Sequence, residues 1–282
     1  MKEKKIKLGV CQMAVTPDKA FNVSKARTMI KEAAAAGCQL VILPEMFNCP
    51  YQAELFPQYA EQYPEGDTIK MLSQAAAAAK VTVVGGSIPE RDRQGNIYNT
   101  SFIFSENGDL LGRHRKMHMF DVDIQGGTVF KESSILSAGH EITVIRTADV
   151  TIGVAICYDI RFPELSRLMT LAGAEILIFP SVFGLTTGPA HWELLMKSRA
   201  IDNQVFVVGA APANALGKEH QVYGHSAVID PWGCIVGIAG MDEYMLIAEV
   251  NLAKMSTVRE QLPLLQHRRS DVYEIIPKNQ RI

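Results

Sequence analysis

The sequence lacks long apolar runs and an excess of charge of either sign. No stretch of about 18 consecutive apolar residues occurs, so we expect no membrane-spanning helix. Its 282 residues include 28 lysines and arginines against 30 aspartates and glutamates, a formal net charge of −2. This balance gives no electrostatic basis for a nucleic-acid partner or an anionic membrane surface, and we expect neither. A content of 48% apolar and 21% charged residues is typical of a globular protein with a sizeable core.

Paired cysteines are also missing. The five cysteines are odd in number, and no two of them form a Cys-x-x-Cys motif. We therefore expect neither a disulfide framework nor a thiolate zinc site, and a reducing cytoplasm fits this composition best. The first thirty residues show no export signal, because their short apolar segment is typical of a first strand.

Apolar runs typical of strands alternate with helical patterns along the chain. The dipeptide Asn107-Gly108 predicts a hairpin, and helical segments separate many of the other strands. Crossover helices together with hairpins predict an α/β fold with mixed sheets whose faces are covered by helices. No linker or repeat interrupts the pattern, so we expect one domain over residues 1–282. Helices are predicted over 22–36, 67–79, 163–172 and 189–202, and strands over 6–13, 39–43, 81–87, 97–104, 109–114, 142–147, 150–156, 175–179, 205–210, 222–229, 233–239 and 244–250.

Cys157 lies at a predicted turn from a strand into a helix. A buried strand precedes it, and Pro163 is a typical first residue of the helix that follows. Backbone amides at such a turn favour a thiolate and can bind a developing oxyanion, which makes Cys157 a candidate nucleophile. The alternative is an inert cysteine, since cysteine is often buried.

Glu45 directly follows another buried strand, within the segment Leu43-Pro44-Glu45. Open α/β sheets place their sites at the carboxyl ends of strands. Apolar surroundings raise the pKa of a glutamate, which suits a general base. The alternative is a glutamate that simply leaves the core for solvent.

A short basic segment over residues 113–118 is the third unusual feature. It is too short to indicate nucleic-acid binding, but Lys116 could supply fixed positive charge to an oxyanion. His114 and His118 have i, i+4 spacing, with Asp121 and Asp123 nearby, which would suit a metal only on a helix. Because the preceding segment has a strand pattern, a solvated basic loop is the simpler interpretation and a metal site a minor alternative.

In combination, Glu45, Lys116 and Cys157 resemble the carbon–nitrogen hydrolase (nitrilase) superfamily in residue type, order and spacing. The resemblance covers essentially the whole chain. Segments that resemble the branch containing the omega-amidases lie at 85–90, 98–100, 118–121, 157–162, 185–193 and 198–204. The resemblance implies a four-layer α-β-β-α sandwich, a homodimer or higher homo-oligomer, and no metal or organic cofactor.

The same resemblance implies the roles of individual residues. Cys157 attacks the carbon of a small linear amide, and Glu45 takes the thiol proton and returns it to the departing ammonia. Lys116 and the backbone N–H of Tyr158 stabilise the oxyanion. Glu132 matches a second glutamate that often lies beside these residues and orients the lysine, with a surface-loop glutamate as the alternative.

Omega-amidases act on the terminal amides of 2-oxo dicarboxylic acids, so the resemblance implies a pocket for the remaining carboxylate. Candidates are Tyr51, which could also act as a mobile lid, Arg161 and Thr187. Each has a structural alternative: a packed loop aromatic for Tyr51, an ion pair with Glu164 for Arg161, and a helix cap for Thr187.

Other functions are also compatible with the sequence. A related enzyme of the superfamily, such as an N-carbamoyl amino acid hydrolase or another aliphatic amidase or nitrilase, would share the same three residues. A catalytically silent binding or scaffold protein is the alternative outside enzymes.

Overall fold

The computed structural model describes residues 4–125, 129–214 and 221–278. Its helices are α1 (Lys19–Ala35), α2 (Phe56–Tyr59), α3 (Asp67–Ala79), α4 (Pro163–Leu171), α5 (Glu193–Asn203) and α6 (Ala253–Gln261). Its strands are β1 (Lys5–Gln12), β2 (Leu40–Ile42), β3 (Thr82–Val84), β4 (Ile88–Arg91), β5 (Ile97–Phe104), β6 (Leu110–Arg115), β7 (Asp121–Asp123), β8 (Val129–Lys131), β9 (Thr143–Arg146), β10 (Thr151–Val154), β11 (Ile176–Pro180), β12 (Phe206–Ala210), β13 (Ala227–Ile229), β14 (Ile235–Ile238) and β15 (Tyr244–Asn251).

Two mixed sheets form the centre of the described structure. The first has the order β15-β1-β2-β3-β5-β4, with β6 paired to β5, and the second has the order β14-β13-β12-β11-β10-β9. Strands β1, β2 and β3 run parallel to one another, as do β10, β11 and β12. The remaining pairs are antiparallel, including the predicted β5–β6 hairpin and the small β7–β8 pair.

The main core lies between the two sheets. Alternate side chains of β1, namely Ile6, Leu8 and Val10, share one buried apolar cluster with Ile152 and Val154 of β10. This is the two-residue period expected of a strand whose faces point toward different layers. Burial of each such side chain stabilises the fold by about 1.5–3 kcal/mol.

Helices cover the outer face of each sheet. Val41 of β2 packs in a second cluster with Ile30 of α1 and Leu72 of α3. On the other side, Met169 of α4 and Met196 of α5 pack against the second sheet. The predicted α-β-β-α sandwich is therefore confirmed. Among the described residues, no helix is long and apolar enough to cross a membrane.

Several predicted elements are shorter than the sequence pattern suggests. The strand expected over 81–87 ends at Val84, and Gly86 adopts a φ of 51°. The strand expected over 222–229 begins only at Ala227, because Gly224 and His225 have φ values of 66° and 57°. Left-handed residues of this kind cannot continue a strand ladder. The helix expected over 189–202 begins as a π-turn over Gly188–Trp192 and continues as α5.

This topology brings the ends of several strands to one place. Glu45 lies three residues beyond β2, and Cys157 three residues beyond β10. Lys116 directly follows β6, and Val182 lies two residues beyond β11. Because β10 and β11 are parallel neighbours, their carboxyl ends meet at one edge of the sandwich.

Candidate active site

Glu45 is held in a tight loop after β2. The loop passes so close to Gly86 that a Cβ there would lie 2.0 Å from the carbonyl oxygen of Pro44. Glu45 is 1% exposed, and both of its carboxylate oxygens are occupied. Oε1 accepts a hydrogen bond from Asn99 Nδ2 at 2.8 Å, and Oε2 accepts one from the backbone N–H of Val182 at 2.7 Å.

Lys116 lies between two carboxylates and is fully buried. Its Nζ is 3.3 Å from Glu45 Oε1, and 2.9 Å and 2.8 Å from the two oxygens of Glu132. Glu132 is also fully buried and accepts a hydrogen bond from the backbone N–H of Phe120 at 2.7 Å. The surface-loop alternative for Glu132 therefore does not describe its position.

The charges of this cluster are strongly coupled. Burial lowers the pKa of Lys116, but the carboxylates of Glu132 and Glu45 outweigh that effect and leave the pKa well above its ordinary value. Burial raises the pKa of Glu45, with Lys116 opposing the rise and Glu132 adding to it. These directions favour the ammonium form of Lys116 and increase the proton affinity of the Glu45 carboxylate.

Cys157 begins a short 3₁₀ turn, Cys157–Arg161, and adopts a φ of 47°. Its side chain is 5% exposed, and its Sγ donates to the carbonyl oxygen of Val182 at 3.5 Å. Burial raises the pKa of this thiol well above its ordinary value; the charge of Glu45 adds to the rise, and Lys116 opposes it. Desolvation is the largest of these effects on the thiol.

Asp159, two residues after Cys157, is a site residue that the sequence did not single out. Its buried carboxylate accepts hydrogen bonds from Ile156 N at 2.9 Å, His118 N at 2.9 Å, His118 Nδ1 at 2.7 Å and His114 Nε2 at 3.1 Å. Although burial raises its pKa, the hydrogen bonds of His114 and His118 hold it well below the ordinary value. Asp159 thereby ties the turn of Cys157 to the segment that carries Lys116.

Replacing Asp159 with Asn should loosen this tie. An amide nitrogen cannot accept the hydrogen bonds that the second carboxylate oxygen receives, so at least one buried donor is left unpaired at a cost of about 3 kcal/mol. Displacement of Cys157 relative to Lys116 should lower kcat roughly 10- to 100-fold with a smaller change in KM. Urea unfolding and steady-state kinetics measure both effects.

The control for that variant is Asp92→Asn. Asp92 also accepts several hydrogen bonds, from Gln94 N, Asn96 N and Asn96 Nδ2, but it does so in an exposed turn. The Asp92→Asn variant should therefore keep kcat near the wild-type value. An unchanged kcat for Asp159→Asn would show that Asp159 does not position the site.

The metal alternative at His114 and His118 does not fit this geometry. His114 lies on a strand, and its ring bonds Thr143 at 2.9 Å as well as Asp159. His118 directs Nδ1 to the same aspartate. Within residues 4–125, 129–214 and 221–278, no group of three or more His, Cys, Asp or Glu side chains is arranged to hold a metal ion.

A cavity of about 430 Å³ opens in front of Cys157, and we call it the Cys157 cavity. Its lining includes four of the five other residues that the sequence assigned to the oxyanion or the substrate, namely Tyr51, Tyr158, Arg161 and Thr187 but not Lys116. The ring of Tyr51 stacks on Phe130 with centroids 5.5 Å apart. Its buried hydroxyl has no hydrogen-bond partner among the described residues.

Arg161 contributes a cation to the Cys157 cavity. Its guanidinium lies over the ring of Phe183, 5.1 Å from the centroid, and Nη1 is 3.2 Å from His191 Nδ1. Its Nε is buried without a hydrogen-bond partner in the described part of the chain. The polar contact thus goes to His191 and not to Glu164, which was the alternative partner.

Comparison with known proteins identifies the family. A family model described as carbon-nitrogen hydrolase matches residues 7–260. The chain is 45% identical to "Omega-amidase NIT2-A" of Xenopus laevis over 97% of this chain and 99% of that protein, and 42% identical to "Omega-amidase NIT2" of Homo sapiens over 95% and 97%. The crystal structure of Saccharomyces cerevisiae Nit3, a member of branch 10 of the nitrilase superfamily, has a TM-score of 0.88 at 42% identity, covering 94% of this chain and 97% of that one.

The chain therefore belongs to the carbon-nitrogen hydrolase family. It is an enzyme, a cysteine-dependent amidase with the nitrilase fold. The resemblance inferred from the sequence motifs is confirmed at the level of the family and the fold.

Proposed function

We propose that the enzyme is an omega-amidase that hydrolyses the terminal amide of 2-oxoglutaramate or 2-oxosuccinamate to a carboxylate and ammonia. The main observation in support is that Cys157, in contact with the Glu45–Lys116–Glu132 cluster, opens onto a cavity that also contains Arg161. A cation in that cavity suits a substrate whose far end is a carboxylate. The identity of 42–45% to proteins named omega-amidases also supports this substrate class.

The reaction begins with a protonated thiol. Glu45 accepts the proton of Cys157 as the sulfur attacks the amide carbon, so a C–S bond forms and the carbonyl electrons move to oxygen. The ammonium of Lys116 and the N–H of Tyr158 stabilise this oxyanion. When the intermediate collapses, the C–N bond breaks and Glu45 returns the proton to the departing ammonia.

Hydrolysis of the thioester uses the same groups in the second half of the cycle. Glu45 takes a proton from water, the hydroxide oxygen bonds to the thioester carbon, and the C–S bond breaks. The sulfur takes that proton from Glu45 as it leaves, so that the acid is released and both the thiol and the Glu45 carboxylate are restored. Glu132 keeps Lys116 charged and in place throughout, because it binds the ammonium at 2.8–2.9 Å.

Substrate recognition falls to the polar groups of the Cys157 cavity. Arg161 binds the far carboxylate with help from the hydroxyl of Thr187. The Tyr51 hydroxyl has no hydrogen-bond partner among the described residues, and burial, followed by the charges of Glu132 and Glu45, raises its pKa while Lys116 opposes the rise. This hydroxyl therefore points toward the reacting end of the substrate and donates a hydrogen bond to it.

We further propose a homodimer or higher homo-oligomer of a single-domain chain that acts in the cytoplasm. Leu194 and Ile201 on α5 and Leu171 on α4 are large apolar side chains left exposed on the helical face, which favours a partner copy there. The five free thiols favour a reducing compartment. A related omega-amidase of Arabidopsis thaliana is chloroplastic, so direct localisation is the relevant measurement.

Ammonia release from a substrate panel tests the proposed activity. The purified enzyme should turn over 2-oxoglutaramate and 2-oxosuccinamate faster than N-carbamoyl amino acids, simple aliphatic amides or nitriles. Turnover of a carbamoyl amine or a nitrile without turnover of any ω-amide would contradict the substrate class and favour a related enzyme of the family.

The Arg161→Met variant tests whether Arg161 recognises the substrate carboxylate. Loss of one hydrogen-bonded charge contact of about 1.5–3 kcal/mol should raise KM for 2-oxoglutaramate roughly 10- to 100-fold. The rate with a neutral amide of similar length should stay within about twofold of the wild type. Equal losses for both substrates would show that Arg161 supports the structure and does not recognise the carboxylate.

A further inference from the structure

A second cavity, of about 280 Å³, adjoins the Cys157 cavity. Glu45 lines this second cavity but not the first, whereas Cys157 lines the first but not the second. We call it the Glu45 cavity. Four residues line both cavities: Tyr51, Gln52, Val182 and Val222.

The peptide groups of Val182 explain how one reaction centre faces two cavities. Its N–H donates to Glu45 Oε2 at 2.7 Å, and its carbonyl oxygen accepts from Cys157 Sγ at 3.5 Å. Glu45 and Cys157 are therefore held next to each other on either side of one residue. The general base reaches one chamber, and the nucleophile reaches the other.

The two chambers differ in chemistry. The Cys157 cavity contains Arg161 and Thr187, which can bind an anionic substrate. The described lining of the Glu45 cavity has no cationic side chain, and most of its wall is apolar, from Val15, Met46 and Leu55 among others. A carboxylate would be desolvated there without a cationic partner in the described lining, so this chamber suits small neutral molecules.

Two small neutral molecules, ammonia and the hydrolytic water, must be accommodated during the reaction. Ammonia takes its proton from Glu45, and the hydrolytic water later gives a proton to Glu45, so both must stand beside that carboxylate. While the acyl group is bonded to Sγ, its chain lies in the Cys157 cavity between Cys157 and Arg161. Water arriving through that cavity would have to pass the bound acyl chain.

We propose that the Glu45 cavity is a separate passage through which ammonia leaves and the hydrolytic water enters while the thioester occupies the Cys157 cavity. This inference rests on the proposed function. In the step it serves, water adds its oxygen to the thioester carbon, the C–S bond breaks, and the water protons end on Cys157 and the product acid or Glu45.

The proposed passage is tested by substitutions that narrow the Glu45 cavity without touching the residues around the bound acyl group. Val15 is half-buried and lines only the Glu45 cavity, so Val15→Phe should fill it, with Val15→Ala as the matched control. We expect Val15→Phe to lower steady-state kcat about tenfold or more, with KM falling in parallel because hydrolysis limits turnover. The acyl-enzyme should then accumulate and be visible by intact-protein mass spectrometry during turnover of 2-oxoglutaramate.

Two further variants separate the passage from other effects. Pro17→Trp places bulk at an exposed position of the same cavity and should give the same pattern even if the Phe variant folds poorly. Val129→Phe places bulk in the Cys157 cavity and should change KM without raising the acyl-enzyme fraction.

The outcomes distinguish the two proposals. If Val15→Phe and Pro17→Trp match Val15→Ala in kcat and acyl-enzyme level, the passage does not exist as inferred. The same conclusion follows if they behave like Val129→Phe. If the wild-type enzyme itself does not turn over 2-oxoglutaramate, the proposed substrate is wrong, and the passage is tested by the same readouts with the amide that the enzyme does accept.

Discussion

Cys157→Ala is expected to abolish turnover while leaving the fold intact. The sulfur supplies the bond that forms in the first step, so kcat should fall by on the order of 10⁶-fold, the scale measured for loss of a nucleophile. Sγ hydrogen-bonds the carbonyl of Val182 and the carboxylate of Glu45, and the turn that follows is held by Asp159. Unfolding by urea should therefore shift by about 1 kcal/mol at most.

The matched control is Cys11→Ala. Cys11 is another fully buried thiol with a pKa raised by burial, but it lies on β1 and contacts Met245. Its loss should weaken packing and leave kcat unchanged. If Cys157→Ala kept measurable ammonia release, or if Cys11→Ala removed it, the assignment of the nucleophile would be wrong.

The positions of Glu45 and Cys157 at strand ends were predictable from the sequence, but their proximity was not, because β2 and β10 belong to different sheets whose packing no local pattern encodes. Each residue follows a buried apolar run, and parallel strands present their carboxyl ends at one edge. Glu132 was different, since neither its neighbours nor its spacing distinguishes it from a loop glutamate. Only the family resemblance indicated it, and the fold then places it 2.8 Å from Lys116.

The hydrogen-bond partners that fix the site could not be read from the sequence. Asn99 lies on β5, Asp159 in the turn, and Val182 beyond β11, and each acts on a residue far away in the chain. The separation between Asn99 and Glu45 is 54 residues, and that between Val182 and Glu45 is 137. No local pattern encodes such contacts, because they are products of strand order in two sheets.

Sequence patterns missed several short or atypical elements as well as the nine-residue helix α6. Strand β4 contains Pro89, which normally argues against a strand, and it is tolerated because β4 lies at the edge of its sheet. Strands β7 and β8 have three residues each, too few for a period to be recognised.

Lys116→Met is expected to damage both catalysis and stability. Removal of an oxyanion donor should lower kcat roughly 10²- to 10³-fold. It also leaves Glu45 and Glu132 buried beside each other without their shared cation, which should cost about 3–5 kcal/mol of unfolding free energy. Comparison of kcat and urea unfolding between this variant and the wild type measures the two losses separately.

The pH dependence of that variant follows from the direction of the pKa shift. Lys116 lowers the pKa of Glu45 against the effect of burial, so its removal raises that pKa further above the unfolded value of about 4.3. A group with a raised folded pKa stabilises the fold fully below its unfolded pKa and loses that contribution as the pH rises through the folded pKa. The deficit of Lys116→Met relative to the wild type should therefore be larger at about pH 8 than at about pH 5.5.

Adding Glu132→Gln separates the two roles of the lysine. The double variant Lys116→Met/Glu132→Gln removes a buried negative charge together with the cation, so part of the lost unfolding free energy should return. Its kcat should stay low, because no ammonium faces the oxyanion. Recovery of both stability and kcat would mean that Lys116 only neutralises Glu132, and a near-normal kcat in the single variant would exclude Lys116 from the chemistry altogether.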